Sequence, residues 1–148
     1  NLANRKSLNV LGALHRHSIA DYDAITWINR NVLGKPVILE TTGKPYTWNA
    51  RISSFTGLPT VLGWGNHEAG WRNDWVGVLQ RTDDIHKIYG TDSLLEAWSL
   101  MSKYNVEYVY IGSLENHKYS EEGLAKFGRF MELVYRSTNV QIYRINES

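Results

Sequence analysis

Six consecutive residues, Val106-Glu107-Tyr108-Val109-Tyr110-Ile111, constrain this chain more than any other stretch. β-Branched and aromatic side chains fill all but one position, which suits a pleated strand and crowds a helix. A second run, Pro36-Val37-Ile38-Leu39-Glu40, is continuously apolar up to its last residue, the pattern of a buried strand. Helical periodicity separates such runs. Ile25, Ile28 and Val32 share one face of a helix expected over Asp21–Leu33, with Gly34 as a stop signal. Residues 41–50 form a turn-rich loop, and Arg51–Thr56 a helical turn before Gly57. Pro59–Gly63 reads as another strand. Asp83 or Asp84 is placed to cap a short helix carrying Ile85, Ile88 and Tyr89. Thr91-Asp92-Ser93 caps the next helix, whose apolar stripe is Leu94, Trp98 and Met101, with Ser93 and Glu96 at capping-box spacing. A helix from about Ser120 to Phe130 precedes two strands, Leu133–Arg136 and Val140–Ile145, joined as a hairpin.

Alternation of this kind predicts an α/β fold: a mostly parallel twisted sheet flanked by helices, with a carboxyl-terminal antiparallel hairpin. At 148 residues, with no repeat, low-complexity tract or linker, one domain spanning 1–148 is expected. A net charge of +1 and no Lys/Arg stripe argue against a nucleic-acid partner. The absence of Cys removes disulfides and thiolate chemistry. No apolar run in the sequence approaches the roughly 20 residues that span a bilayer, and no signal peptide is present. The chain opens on Asn1 without Met, so an excised piece of a longer protein is expected.

The densest chemistry lies in Trp64-Gly65-Asn66-His67-Glu68-Ala69-Gly70-Trp71-Arg72. Two indoles, an acid, an imidazole and a guanidinium fall within nine residues there. His67 and Glu68 can act as an acid/base couple, because imidazole titrates near neutrality and a carboxylate can orient it. Alternatively, either residue caps a helix beginning near Asn66. Glu40 ends a buried strand, where an unpaired carboxylate is expensive, and Arg51, Arg72 or Arg81 is its natural partner. Trp64, Trp71, Tyr46 and Trp48 offer flat apolar faces to a sugar ring or lipid headgroup, with Asn66, Arg72 and Glu40 supplying directional hydrogen bonds. The same aromatics can equally pin loops to the sheet. Because ligands in such sheets gather outside the carboxyl ends of the strands, Glu40 and the 64–72 loop are expected at one rim.

Elsewhere the signals are thinner. His15 and His17 share a face on a strand but lack a third ligand, so no metal is expected. His86 and His117 read as helix-surface and loop residues. No dinucleotide, phosphate-loop, nucleophile-elbow or zinc-protease motif occurs, and no cofactor is expected. Asn146-Glu147-Ser148 matches a glycosylation acceptor.

The run R-I-S-S-F-T-G-L-P-T-V-L-G-W-G-N-H-E-A-G-W-R, from Arg51 to Arg72, resembles the signature of the YYY-domain polytopic membrane proteins of Chloroflexus relatives and archaea. D-Y-D-A-I-T-W-I-N (21–29), V-I-L-E-T-T-G-K-P-Y (37–46) and K-Y-N-V-E-Y-V-Y-I-G-S-L-E (103–115) agree in order and spacing, as does the ending. Two positions depart: Gly65-Asn66 precedes His67, and Asn105 stands where a glycine is expected before Val106. The resemblance implies a soluble carboxyl-terminal domain of a long, very hydrophobic protein, laid out like membrane glycosyltransferases that use lipid-phosphate sugar donors. It singles out Glu40, Tyr46, Arg51, Gly57, Pro59, Trp64, His67, Glu68, Trp71 and Arg72. In such transferases the catalytic acid lies between membrane helices, so the resemblance implies an extracytoplasmic, non-catalytic domain. Its partners are the transmembrane portion of the same chain and a sugar or lipid-phosphate ligand. A self-contained enzyme using His67, Glu68 or Glu40, and a structural module packing on the membrane part, stand as alternatives.

Overall fold

In a computed structural model, residues 19–41, 51–62 and 75–146 are described. Helix α1 covers 19–31 and leads to strand β1 (Val37–Leu39). Next come α2 (Arg51–Thr56), α3 (Trp75–Gly90), α4 (Leu94–Lys103) and β2 (Val106–Ile111). Three short helices, α5 (Ser113–Lys118), α6 (Glu121–Ala125) and α7 (Phe127–Phe130), precede β3 (Met131–Arg136) and β4 (Gln141–Ile145).

The strands form one sheet in the order β1-β2-β4-β3. β1 runs parallel to β2, while β4 is antiparallel to both β2 and β3. The mostly parallel sheet expected from the sequence is thus corrected to a small mixed sheet with one parallel pair. Two features account for the difference. Over its described residues, 59–62, the apolar segment expected as a strand at 59–63 contributes only a parallel bridge, Thr60 against Ile38. The carboxyl-terminal hairpin enters through β4, which lies beside β2 with Val109 opposite Tyr143. Apolar runs report burial and not direction, so β2 looks the same with either kind of neighbour.

Helices cover both faces. Leu39, Val109, Ile111 and Tyr143 face a core built with Ile85, Ile88 and Tyr89 of α3, Met101 of α4, Leu124 and Phe127. The residues alternating with them, Ile38, Tyr108, Tyr110 and Ile142, face Ala24, Ile25 and Ile28 of α1 and Ile52 of α2. Each fully buried Ile, Leu or Phe contributes about 1.5–3 kcal/mol through water exclusion, so this double burial is the main source of stability.

Local signals hold the connections. Asn105, the residue before β2, adopts φ +55°, a left-handed conformation that glycine and asparagine tolerate best. The backbone there explains why a glycine is expected at that position. Ser93 caps α4 by accepting from the Glu96 N–H at 3.2 Å. Ser93→Ala is expected to cost about 1 kcal/mol in thermal unfolding. Asp83 and Asp84, by contrast, do not cap a short helix, because α3 begins earlier and carries both in its interior. Asp83 pairs with Lys87 one turn on, at 3.1 Å. Asp84 is buried and accepts from Lys103 Nζ at 3.0 Å and from the Tyr104 hydroxyl, tying α3 to the end of α4. In α4, Ala97 and Met101 are buried, whereas Trp98 of the expected stripe is exposed.

Candidate functional site

The parallel pair sets up a polar knot at its carboxyl ends. β2 ends at Ile111, and Gly112 turns the chain into α5. Three residues into that helix, Glu115 is completely buried. Its Oε1 accepts the Gly112 N–H at 2.8 Å, which closes the first turn of the helix. Its Oε2 accepts the N–H of Thr41, just beyond β1, at 2.9 Å. One carboxylate therefore laces the two strand ends together. A buried charge persists only when hydrogen bonds of this kind replace water.

Thr41 also begins a chain of hydroxyls. Its Oγ1 lies 2.9 Å from the Tyr119 hydroxyl, which lies 2.8 Å from Nδ1 of His86 on α3. Tyr119 stacks on Tyr89, with centroids 4.8 Å apart and planes at 19°. The Tyr89 hydroxyl reaches Tyr110 O at 2.7 Å and Leu39 O at 3.0 Å, inside the buried rim. Burial raises the Tyr119 phenol to about 12, against the opposing pull of the Thr41 hydrogen bond. Burial also lowers His86, assisted by Lys118 and opposed by Asp83. At neutral pH the chain of groups is therefore uncharged, and the Tyr119 hydroxyl donates to one neighbour while accepting from the other. Such an arrangement ties the end of β1 to α3 and to the end of α5 through uncharged groups.

Glu40 is buried beside this knot, where its Oε1 accepts the Ile52 N–H at 3.4 Å at the start of α2. Among its expected guanidinium partners, Arg51 opens α2, Arg81 lies within α3, and Arg72 falls outside the described residues. Tyr46, Trp48, Trp64, Asn66, His67, Glu68 and Trp71 fall outside them as well. The described chain ends at Thr41 and resumes at Arg51, then ends again at Leu62. Since Thr60 bridges Ile38 in parallel, both departures leave the sheet on one rim. Glu40, Thr41 and Glu115 occupy that rim.

Sequence reading missed Glu115, Thr41 and Tyr119, and the half-buried place of His86 in their hydrogen-bond chain. Gly112 followed three residues later by Glu115, directly after a strong strand, was the available signal for α5. It also missed Lys126, which is 2% exposed and lies at the corner between α6 and α7. Its ammonium donates to Tyr89 O at 2.9 Å and Gly123 O at 2.5 Å, and sits 4.3 Å from the Phe127 ring centre. Burial lowers its pKa to about 8. Gly123 makes this approach feasible, since a β-carbon there would meet Tyr89 O at 2.6 Å. Among the described residues, no group of three or more His, Asp or Glu side chains is placed to hold a metal ion. Among them, too, no helix is long and apolar enough to cross a membrane.

A mixed four-stranded sheet between helical layers, with its polar knot at the ends of the parallel pair, defines an α/β domain of a compact mixed-sheet class. The fold resembles the crystal structure of the C-terminal globular domain of oligosaccharyltransferase from Archaeoglobus fulgidus, with a TM-score of 0.55. The match covers 84% of this chain and 96% of that one at 16% identity, a likeness of fold. No family model and no curated protein matches the sequence.

Proposed function

We propose that this chain is the extracytoplasmic, non-catalytic domain of a polytopic membrane glycosyltransferase of the YYY type. In that role it binds or positions a sugar or lipid-phosphate substrate at the rim formed by the carboxyl ends of β1 and β2. The observation that carries this reading is the likeness in fold to an oligosaccharyltransferase's C-terminal globular domain over nearly the whole of both chains. The rim adds chemical support. The described residues Thr41 and Leu62, after which the sequence continues to Tyr46 and to Trp64, Asn66, His67, Glu68, Trp71 and Arg72, lie on the rim with Glu40 and the Glu115–Thr41 contact. Indole faces suit sugar rings, and a guanidinium suits a phosphate.

The full-length protein is expected to carry many apolar membrane segments ahead of Asn1, which the genomic sequence will show. A short parent without such segments would eliminate the proposal. For the ligand, the test is titration of this domain with polyprenyl phosphate and with sugar phosphates. Arg72→Ala and Trp64→Ala are each expected to weaken binding by about tenfold or more, equivalent to one lost charge-assisted hydrogen bond or stacking face. Equal binding by all three proteins would remove the loop from the site.

A further inference from the structure

Asn146-Glu147-Ser148 is the one Asn-x-Ser/Thr sequence in the chain, and the rim chemistry makes no use of it. Asn146 directly follows β4 and is exposed. Its Nδ2 donates one hydrogen bond to Phe130 O at 3.3 Å, which leaves the second amide hydrogen to be replaced. Asn146 also forms part of the wall of an apolar groove with Leu94, Leu95, Trp98 and Phe130. In that groove Leu95 is 74% and Trp98 44% exposed. The same side chain is thus an accessible acceptor amide and a lining residue of a groove with an uncovered indole. A pyranose presents a face of C–H groups that suits the electron-rich face of an indole. A sugar joined to Asn146 starts at the wall of the groove.

We propose that Asn146 is an N-glycosylation site whose first sugar ring packs against Trp98 in this groove. The inference rests on the extracytoplasmic placement proposed above, the side on which such acceptors meet their donors. The co-reactant is a lipid-linked oligosaccharide. The Asn146 amide nitrogen bonds to the anomeric carbon, and the sugar–phosphate C–O bond breaks. The lipid phosphate leaves with the electron pair, and the displaced amide proton passes to a base of the transferring enzyme. The remaining N–H keeps the Phe130 carbonyl satisfied.

The test uses the full-length protein in its native membranes. Glycopeptide mass spectrometry is expected to find a glycan on Asn146, lost in Ser148→Ala and in Asn146→Gln. In parallel, Thr138→Cys, at an exposed position between β3 and β4, reports sidedness. Its new thiol is labelled in intact vesicles or cells by a membrane-impermeant maleimide, against the unaltered protein. Labelling of Thr138→Cys with an unmodified Asn146 overturns this inference and leaves the proposed function standing. A thiol in that variant shielded until the membrane is opened overturns the placement, and this inference with it. Enzymatic release of the glycan, compared in wild type and Trp98→Phe, is expected to raise acrylamide quenching only where Trp98 is present. An equal response in both proteins overturns the packing on Trp98.

Discussion

Glu115→Ala is expected to lower stability by about 3–5 kcal/mol, read as a shift of the urea midpoint, because two buried N–H groups lose a charged acceptor at once. Those donors belong to Gly112 and Thr41, so the substitution loosens α5 and the end of β1 together. Glu115→Gln separates charge from shape. An amide oxygen serves one N–H, but its NH2 opposes the other, so a loss of roughly half that size is expected. Amide exchange gives the second reading: Thr41 and Gly112 should lose protection in both variants. Unchanged protection at Thr41 would show that the lacing contact does not hold the strand ends. Because Thr41 belongs to the proposed rim, the same variants should weaken substrate binding there.

The second large effect is a stability maximum near pH 10. Lys126 has a folded pKa of about 8 against an ordinary value of 10.5. Between those values the unfolded chain holds more protons than the folded one, so stability rises with pH, by on the order of 3 kcal/mol. Tyr119 acts in the opposite sense. Its folded value of about 12 lies above the ordinary 10.0, so the folded chain retains a proton that the unfolded chain releases, and stability falls from about pH 10 upward. Tyr104 and Tyr143, both raised by burial, steepen that fall, and Lys118, lowered by burial, adds to the rise. Urea titrations across the range should show the dome. Lys126→Met should flatten its rising limb, and Tyr119→Phe should make its falling limb shallower. A wild-type curve that declines steadily from pH 8 would contradict the burial of Lys126 as a cation.

How much of this was legible follows from the range of each contact. β2, β1 and the Ser93 cap were readable, because strand propensity and capping act over a few residues. α5 was not. Its sequence S-L-E-N-H-K has no apolar period, and its position is set by a contact from Glu115 to Thr41, 74 residues away. His86 looked like a surface residue because its cover is Tyr119, 33 positions on. Asp84 looked like a cap because its partners, Lys103 and Tyr104, come from a different helix and the turn beyond it. Strand direction failed for the same reason, since β4 pairs with β2 across three intervening helices and a strand. In the candidate site, Glu40 lies buried just beyond β1, while most of its suggested companions lie outside the described residues.

The strand order carries a consequence for biosynthesis. Of the four strands in this sheet, β4 is synthesised last, yet it sits between β2 and β3. Until Ile145 has emerged, β2 and β3 each present a bare ladder of amide and carbonyl groups with no partner on that side. Closure of this sheet therefore waits for residues 141–145, and a nascent chain stalled before residue 141 exposes two open edges to its neighbours.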